Sequence, residues 1–230
     1  MRSRSPGASS TRPTHPRLRR SRYLAVVVAA CAVASFALTG CDGSYSLTGG
    51  HISCSDGIAY RINPAGFSRS QLADISTAAG MIASESGTSI RNLGTTNESW
   101  STEQPAPGVT YVLVEHRATS YGGHPAAATS SPWADDAHAY RGGSMWFNPS
   151  IDAIPAGRPL DGTRGSTYLK MALHEWAHYA GLNTITGNHP DLIMAGATAP
   201  GLGVGDLIGL VQAGCFPPDQ KAQRLHALGA

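Results

Sequence analysis

Charge is scarce in this chain of 230 residues: 14% are Asp, Glu, Lys or Arg, and lysine occurs only twice. Acidic residues are missing before Asp42, whereas seven of the 17 basic residues lie there, as Arg2, Arg4, Arg12, Arg17, Arg19, Arg20 and Arg22. The formal charge of +2 therefore belongs to the first forty residues; from Cys41 onward 10 basic residues face 15 acidic ones, a net of −5. That balance excludes a basic stripe for nucleic acid in the later part. Cysteine is rare, with four in the chain, too few for a disulfide-dense scaffold. No repeat of solenoid period occurs, and no apolar run beyond the N-terminal region reaches the roughly 20 residues of a membrane span. A Gly-rich phosphate loop and a nucleophile elbow are also absent. Hydrophobic residues nevertheless make up 41%, which excludes a wholly disordered chain. The length suits one domain of about 100–200 residues with appendages.

Residues 1–22 are rich in Arg, Ser and Pro, and residues 23–38 form an apolar run. A basic start, an apolar stretch of about 15 residues and small residues before a cut make a secretory signal, with an uncleaved signal anchor as the alternative. Leu38-Thr39-Gly40-Cys41 resembles the bacterial lipobox. That resemblance implies cleavage before Cys41, acylation of Cys41 and an exported chain held to the outer face of a bacterial membrane. Arg19-Arg20 leaves general and twin-arginine export both open. The expected organisation is a signal peptide over 1–40, a lipid-anchored tether over 41–57, one folded domain over 58–216 and a C-terminal tail over 217–230. Cys31 then leaves with the signal and Cys41 takes the lipid. Cys54 and Cys215 remain, an even pair in an oxidising compartment, and are expected to form one disulfide. The alternative is a Cys54 thiol that binds and inhibits a metal.

Within the domain, Ile58, Ala59, Tyr60, Arg61 and Ile62 alternate like a strand. Ser68-x-x-Gln71 is a capping box, and Leu72, Ile75, Ala79 and Ile82 follow at helical spacing up to a Gly87 stop. Residues 109–115 are β-branched and aromatic, a strand. Residues 91–107 and 121–136 are expected to be loops. Residues 143–147 read as a short strand that Pro149 ends, which suits an edge position. A second helix is expected over 166–180 with Gly181 as its left-handed stop, and a third over 206–213. The fold class is α+β, with a small mixed sheet that is mostly N-terminal.

The second helix contains His174-Glu175-Trp176-Ala177-His178, the pattern H-E-x-x-H. Residues i and i+4 share a helical face, so both imidazoles can converge on one metal. Glu175 is offset by about 100° from His174, where its carboxylate can accept a proton from a water on that metal. The alternative is two surface histidines and a solvated glutamate.

With Gly181, Leu182, Ile193 and Met194 downstream, this stretch resembles the metzincin zinc peptidases, especially matrixin-like enzymes. The resemblance covers about residues 58–215. It implies a metzincin-like fold: an active-site helix ended by Gly181, a Met-turn at Met194 and a closing helix near residues 205–212. It also implies an activity, hydrolysis of peptide bonds by a zinc-activated water with Glu175 as general base. The implied cofactor is a single catalytic Zn²⁺ held by His174 and His178. Met145, Trp146, Phe147 and Asn148 are similar to the segment that ends in the family's substrate-binding edge strand, so an extended polypeptide is expected to pair there.

The family pattern places its third ligand three residues after the glycine, where this chain has Thr184. A neutral hydroxyl is a poor zinc ligand beside imidazole or carboxylate. His189, five residues further on, is the expected replacement, with Asp191 or no third protein ligand as alternatives. His116, His124 and His138 could form a structural zinc site by analogy, but are read as surface or hydrogen-bonded histidines. Asp135 and Asp136 are read as loop caps, and no structural zinc or calcium is expected. Partners are thus a polypeptide substrate and the membrane, without nucleic acid, and the chain is taken as a monomer. A second hypothesis stands beside the peptidase: a non-catalytic surface lipoprotein on the same scaffold, motivated by Thr184.

Overall fold

The computed structural model describes residues 45–101, 109–118, 120–121, 124–125, 128–149, 168–187, 189–195, 199 and 201–230. The expected signal peptide and Cys41 lie outside the described residues.

The chain is mixed α/β, with a mostly parallel six-stranded sheet and, among the described residues, four α-helices. Strand β1 (His51–Ile52) and β2 (Ile58–Ile62) lead into α1 (Arg69–Ser86); then come β3 (Ile90–Thr95) and β4 (Val112–His116). Two short strands, β5 (Ser120–Tyr121) and β6 (His124–Pro125), form a separate antiparallel pair. Strands β7 (Ala128–Ala134) and β8 (Ala139–Phe147) complete the main sheet, followed by α2 (Tyr168–Tyr179), a 3₁₀ turn (Ile193–Ala195), α3 (Val204–Ala213) and α4 (Pro218–Ala227). The sheet order is β1-β8-β4-β2-β3, with β7 antiparallel on β8 and every other pairing parallel.

Local chemistry explains the helix ends. Ser68 Oγ accepts the Gln71 amide at 3.3 Å while Gln71 Oε1 accepts the Ser68 amide at 2.6 Å, so two orphan donors are satisfied reciprocally. Gly87 closes α1 in the left-handed region at φ 66°, open to glycine without a Cβ penalty. Side chains alternate on the strands. Ile58, Tyr60 and Ile62, Val112 and Val114, and Met145 and Phe147 join one core with Ile75, Ala79 and Ile82 of α1 and Trp176 of α2. Tyr60 meets Trp176 edge-to-face at 5.0 Å. Each such fully buried large side chain contributes about 1.5–3 kcal/mol.

Four expectations are revised. Residues 145–147 do not lie at an edge: they pair with β4 on one side and β7 on the other, so their backbone groups are already used. The edge is β7, within a stretch read as loop; Pro132 sits in it, tolerated because a strand without an outer neighbour needs no amide there. Residues 90–95, also read mostly as loop, form β3, whose side chains beyond Ile90 are exposed. Residues 217–230, read as a tail, contain α4, which has no buried residue but is tied back by Arg224 to Glu85 at 3.4 Å.

Cys54 and Cys215 are disulfide-bonded, with Cα atoms 5.3 Å apart and a sequence separation of 161. The bond staples the β1–β2 connection to the end of α3. Closing so long a loop removes roughly 3–5 kcal/mol of chain entropy from the unfolded state.

Candidate metal centre

Helix α2 carries the two histidines with its apolar side turned to the core: Met171, Ala172, Leu173, Trp176, Ala177 and Tyr179 are buried, His174 and His178 half-buried. Their Nε2 atoms lie 3.2 Å apart. His174 Nδ1 is 2.8 Å from the Ile193 carbonyl, and His178 Nδ1 is 2.9 Å from the Leu182 carbonyl. A carbonyl accepts only, so each ring carries a proton on Nδ1, and when both rings are neutral their Nε2 atoms present lone pairs to each other. Such an arrangement is repulsive unless a metal ion or a shared proton lies between them. Two nitrogens at about 2.0–2.1 Å from one tetrahedral Zn²⁺ would stand about 3.3–3.4 Å apart. The pair therefore fits such an ion.

Burial lowers the His178 pKa, and the neighbouring His174 lowers it further, against the opposing pull of the Glu175 carboxylate and the Leu182 carbonyl. That favours the neutral ring a metal requires. Glu175 is 6% exposed, on the same helix between the two histidines in sequence.

The turn beneath the pair is built by Asp206, fully buried in the first turn of α3. Its Oδ2 accepts the amides of Ile193 at 2.7 Å and Gly203 at 2.9 Å, and its Oδ1 accepts the Met194 amide at 3.2 Å. Burial raises its pKa while those three bonds oppose the rise. Met194 lies buried in the 3₁₀ turn, and its carbonyl accepts the Ile185 amide at 2.9 Å. Asp206 was not singled out from the sequence; the available signal was a lone acid in the first turn of an otherwise apolar helix.

Among the described residues, no group of three or more His, Cys, Asp or Glu side chains could hold a metal together, so neither His189 nor Asp191 joins the pair here. His189 belongs to a separate turn, where its carbonyl accepts the Leu192 amide at 3.1 Å, and Asp191 is exposed. The Thr184 hydroxyl stands nearer, 3.5 Å from His178 Nε2. Elsewhere, His116 packs on Phe67 with ring centroids 5.0 Å apart, and exposed His138 takes a left-handed backbone with φ 59°. The His124 side chain lies outside the described residues. Asp135 does cap its loop, accepting the amides of Ala137 at 2.9 Å and Ala139 at 3.0 Å.

No protein-family model matches this chain, and no curated protein matches it significantly.

Proposed function

We propose that this chain is a metzincin-like zinc endopeptidase, exported and held at the outer face of a bacterial membrane by an acylated Cys41. The observation that carries the reading is the facing pair of His174 and His178 Nε2 atoms, 3.2 Å apart, with each Nδ1 turned to a carbonyl. Zn²⁺ held by these two rings would supply Lewis acidity, making a water acidic near neutral pH and polarising a peptide carbonyl. Glu175 accepts the proton of the attacking water and returns it to the leaving amine. Ile193 and Leu182 keep both rings in the ligating tautomer. An extended substrate pairs by backbone hydrogen bonds with the outer edge of β7, which among the described residues pairs with β8 alone.

The test is Glu175→Gln in the zinc-loaded protein, read by hydrolysis of unstructured polypeptides and by bound zinc. Hydrolysis should disappear while zinc stays; a fully active variant overturns the mechanism.

Thr184 at the third position favours a second reading, a non-catalytic surface module on the same scaffold. Stoichiometric zinc at neutral pH supports the enzyme, and failure to retain zinc after loading supports the module.

A further inference from the structure

We propose that residues 45–48, instead of forming a slack tether, act as a bracing strand that positions His178 and Thr184. The inference rests on the metal-binding reading above. Leu47 stands opposite Leu182 in an antiparallel bridge. The Thr48 amide donates to the Gly181 carbonyl at 2.8 Å, and the Asn183 amide donates to the Ser46 carbonyl at 2.8 Å. Thr48 Oγ1 adds a second attachment, 2.8 Å from Tyr140 Oη on β8 and 3.3 Å from the Gly181 carbonyl.

The surroundings are cut to fit this strand. A Cβ on Gly181 would lie 2.8 Å from the Gly50 carbonyl oxygen, so the incoming chain passes too close for any other residue there. A Cβ on Gly209 of α3 would lie 2.7 Å from Leu182 Cδ2 and 3.1 Å from Tyr45 Cβ, so that glycine leaves room for both strands of the bridge.

The braced stretch leads directly to the metal pair. The Leu182 carbonyl fixes His178 Nδ1 at 2.9 Å, and the Thr184 hydroxyl lies 3.5 Å from His178 Nε2. Thr184 is flanked by two anchored amides, Asn183 to Ser46 and Ile185 to Met194. Removing the brace frees one of the two and loosens the carbonyl that selects the His178 tautomer. Partners that orient a ligating histidine matter to affinity by about 10–100-fold. Thr48 and Ser46 are thus positioning residues, acting through Leu182 and Asn183.

The test uses the full chain and compares wild type with Thr48→Pro, which lacks both donors, and Thr48→Ser, which keeps them. Zinc affinity by chelator competition should fall about tenfold or more in Thr48→Pro and recover in Thr48→Ser. In the metal-free protein, ring ¹⁵N shifts should show His178 as the Nδ1–H tautomer in wild type and as a tautomer mixture in Thr48→Pro. Unchanged affinity, or an unchanged tautomer, in a folded Thr48→Pro overturns the brace. If Thr48→Pro does not fold, amide exchange in wild type decides: Asn183 should be protected like the amides of α2, and open-loop exchange there overturns the proposal. A wild type that binds no zinc defeats the metal reading instead, and the tautomer and exchange measurements still judge the brace.

Discussion

Asp206 and His174 grip the same residue from opposite sides: Asp206 Oδ2 accepts the Ile193 amide at 2.7 Å, and the Ile193 carbonyl takes His174 Nδ1 at 2.8 Å. A buried carboxylate from α3 thereby sets the orientation of an imidazole on α2 through one backbone unit. An amide in its place would aim an NH₂ group at backbone donors. Asp206→Asn should cost about 2–4 kcal/mol of stability, since it disrupts charge-assisted bonds in a dry site. Denaturant unfolding checks this, and a loss below about 0.5 kcal/mol would contradict the role.

Thr184 and His189 make opposite predictions about the third position. If the arrangement seen here persists on metal loading, His189→Ala leaves zinc affinity within about twofold, whereas Thr184→His tightens it by about tenfold or more. Competition against a chromogenic chelator reads both. A loss above about tenfold in His189→Ala would show that the loop folds back and that His189 completes the centre.

His178 gives a pH dependence whose sign is fixed. Its pKa in the fold lies below its ordinary value of 6.5, first through burial and then through His174. The unfolded state therefore binds the proton more readily. The stability this ring contributes in the metal-free protein is complete above about pH 6.5 and is lost as pH falls through the folded pKa. His178→Gln should flatten that part of the stability curve, measured by thermal unfolding between about pH 7 and 5.

Gly181 has two independent reasons to be glycine: φ of 98°, and a virtual Cβ 2.8 Å from the Gly50 oxygen. Gly181→Ala should cost about 1–3 kcal/mol from backbone strain alone, read by urea unfolding, and should also weaken zinc binding because the strand over Gly50 must shift.

Breaking the disulfide should act on stability without touching the metal pair. Cys54→Ser with Cys215→Ser should lower stability by about 3–5 kcal/mol. Zinc affinity of the folded fraction should stay unchanged.

Much of this was legible in the residues. The capping box of Ser68 and Gln71, the Gly87 stop and the period of Ile75, Ala79 and Ile82 specify α1 because each is a short-range interaction. The four-residue spacing of His174 and His178 places them on one face of any helix, and setting Cys31 and Cys41 aside with the expected signal and lipid leaves Cys54 only Cys215 to join. Strand β3 was not legible because, beyond Ile90, neither of its faces is buried, so no alternating pattern exists to be read; pairing with β2 alone makes it a strand. The same holds for α4, which has no buried residue and only half-buried Lys221, Arg224 and Leu225, so no apolar stripe exists to be read.

By itself, the sequence determined the local chemistry: two imidazoles one helical turn apart, a carboxylate beside them, a glycine to end the helix. Only the tertiary structure decided which distant groups complete that chemistry. It put Asp206 under Ile193, Thr184 rather than His189 beside His178, β7 rather than residues 145–148 at the sheet edge, and residues 45–48 against the turn of Gly181. These are meetings of backbone carbonyls, amides and loops across the fold, and they follow from how helices and strands pack, not from the identity of neighbouring residues in the chain.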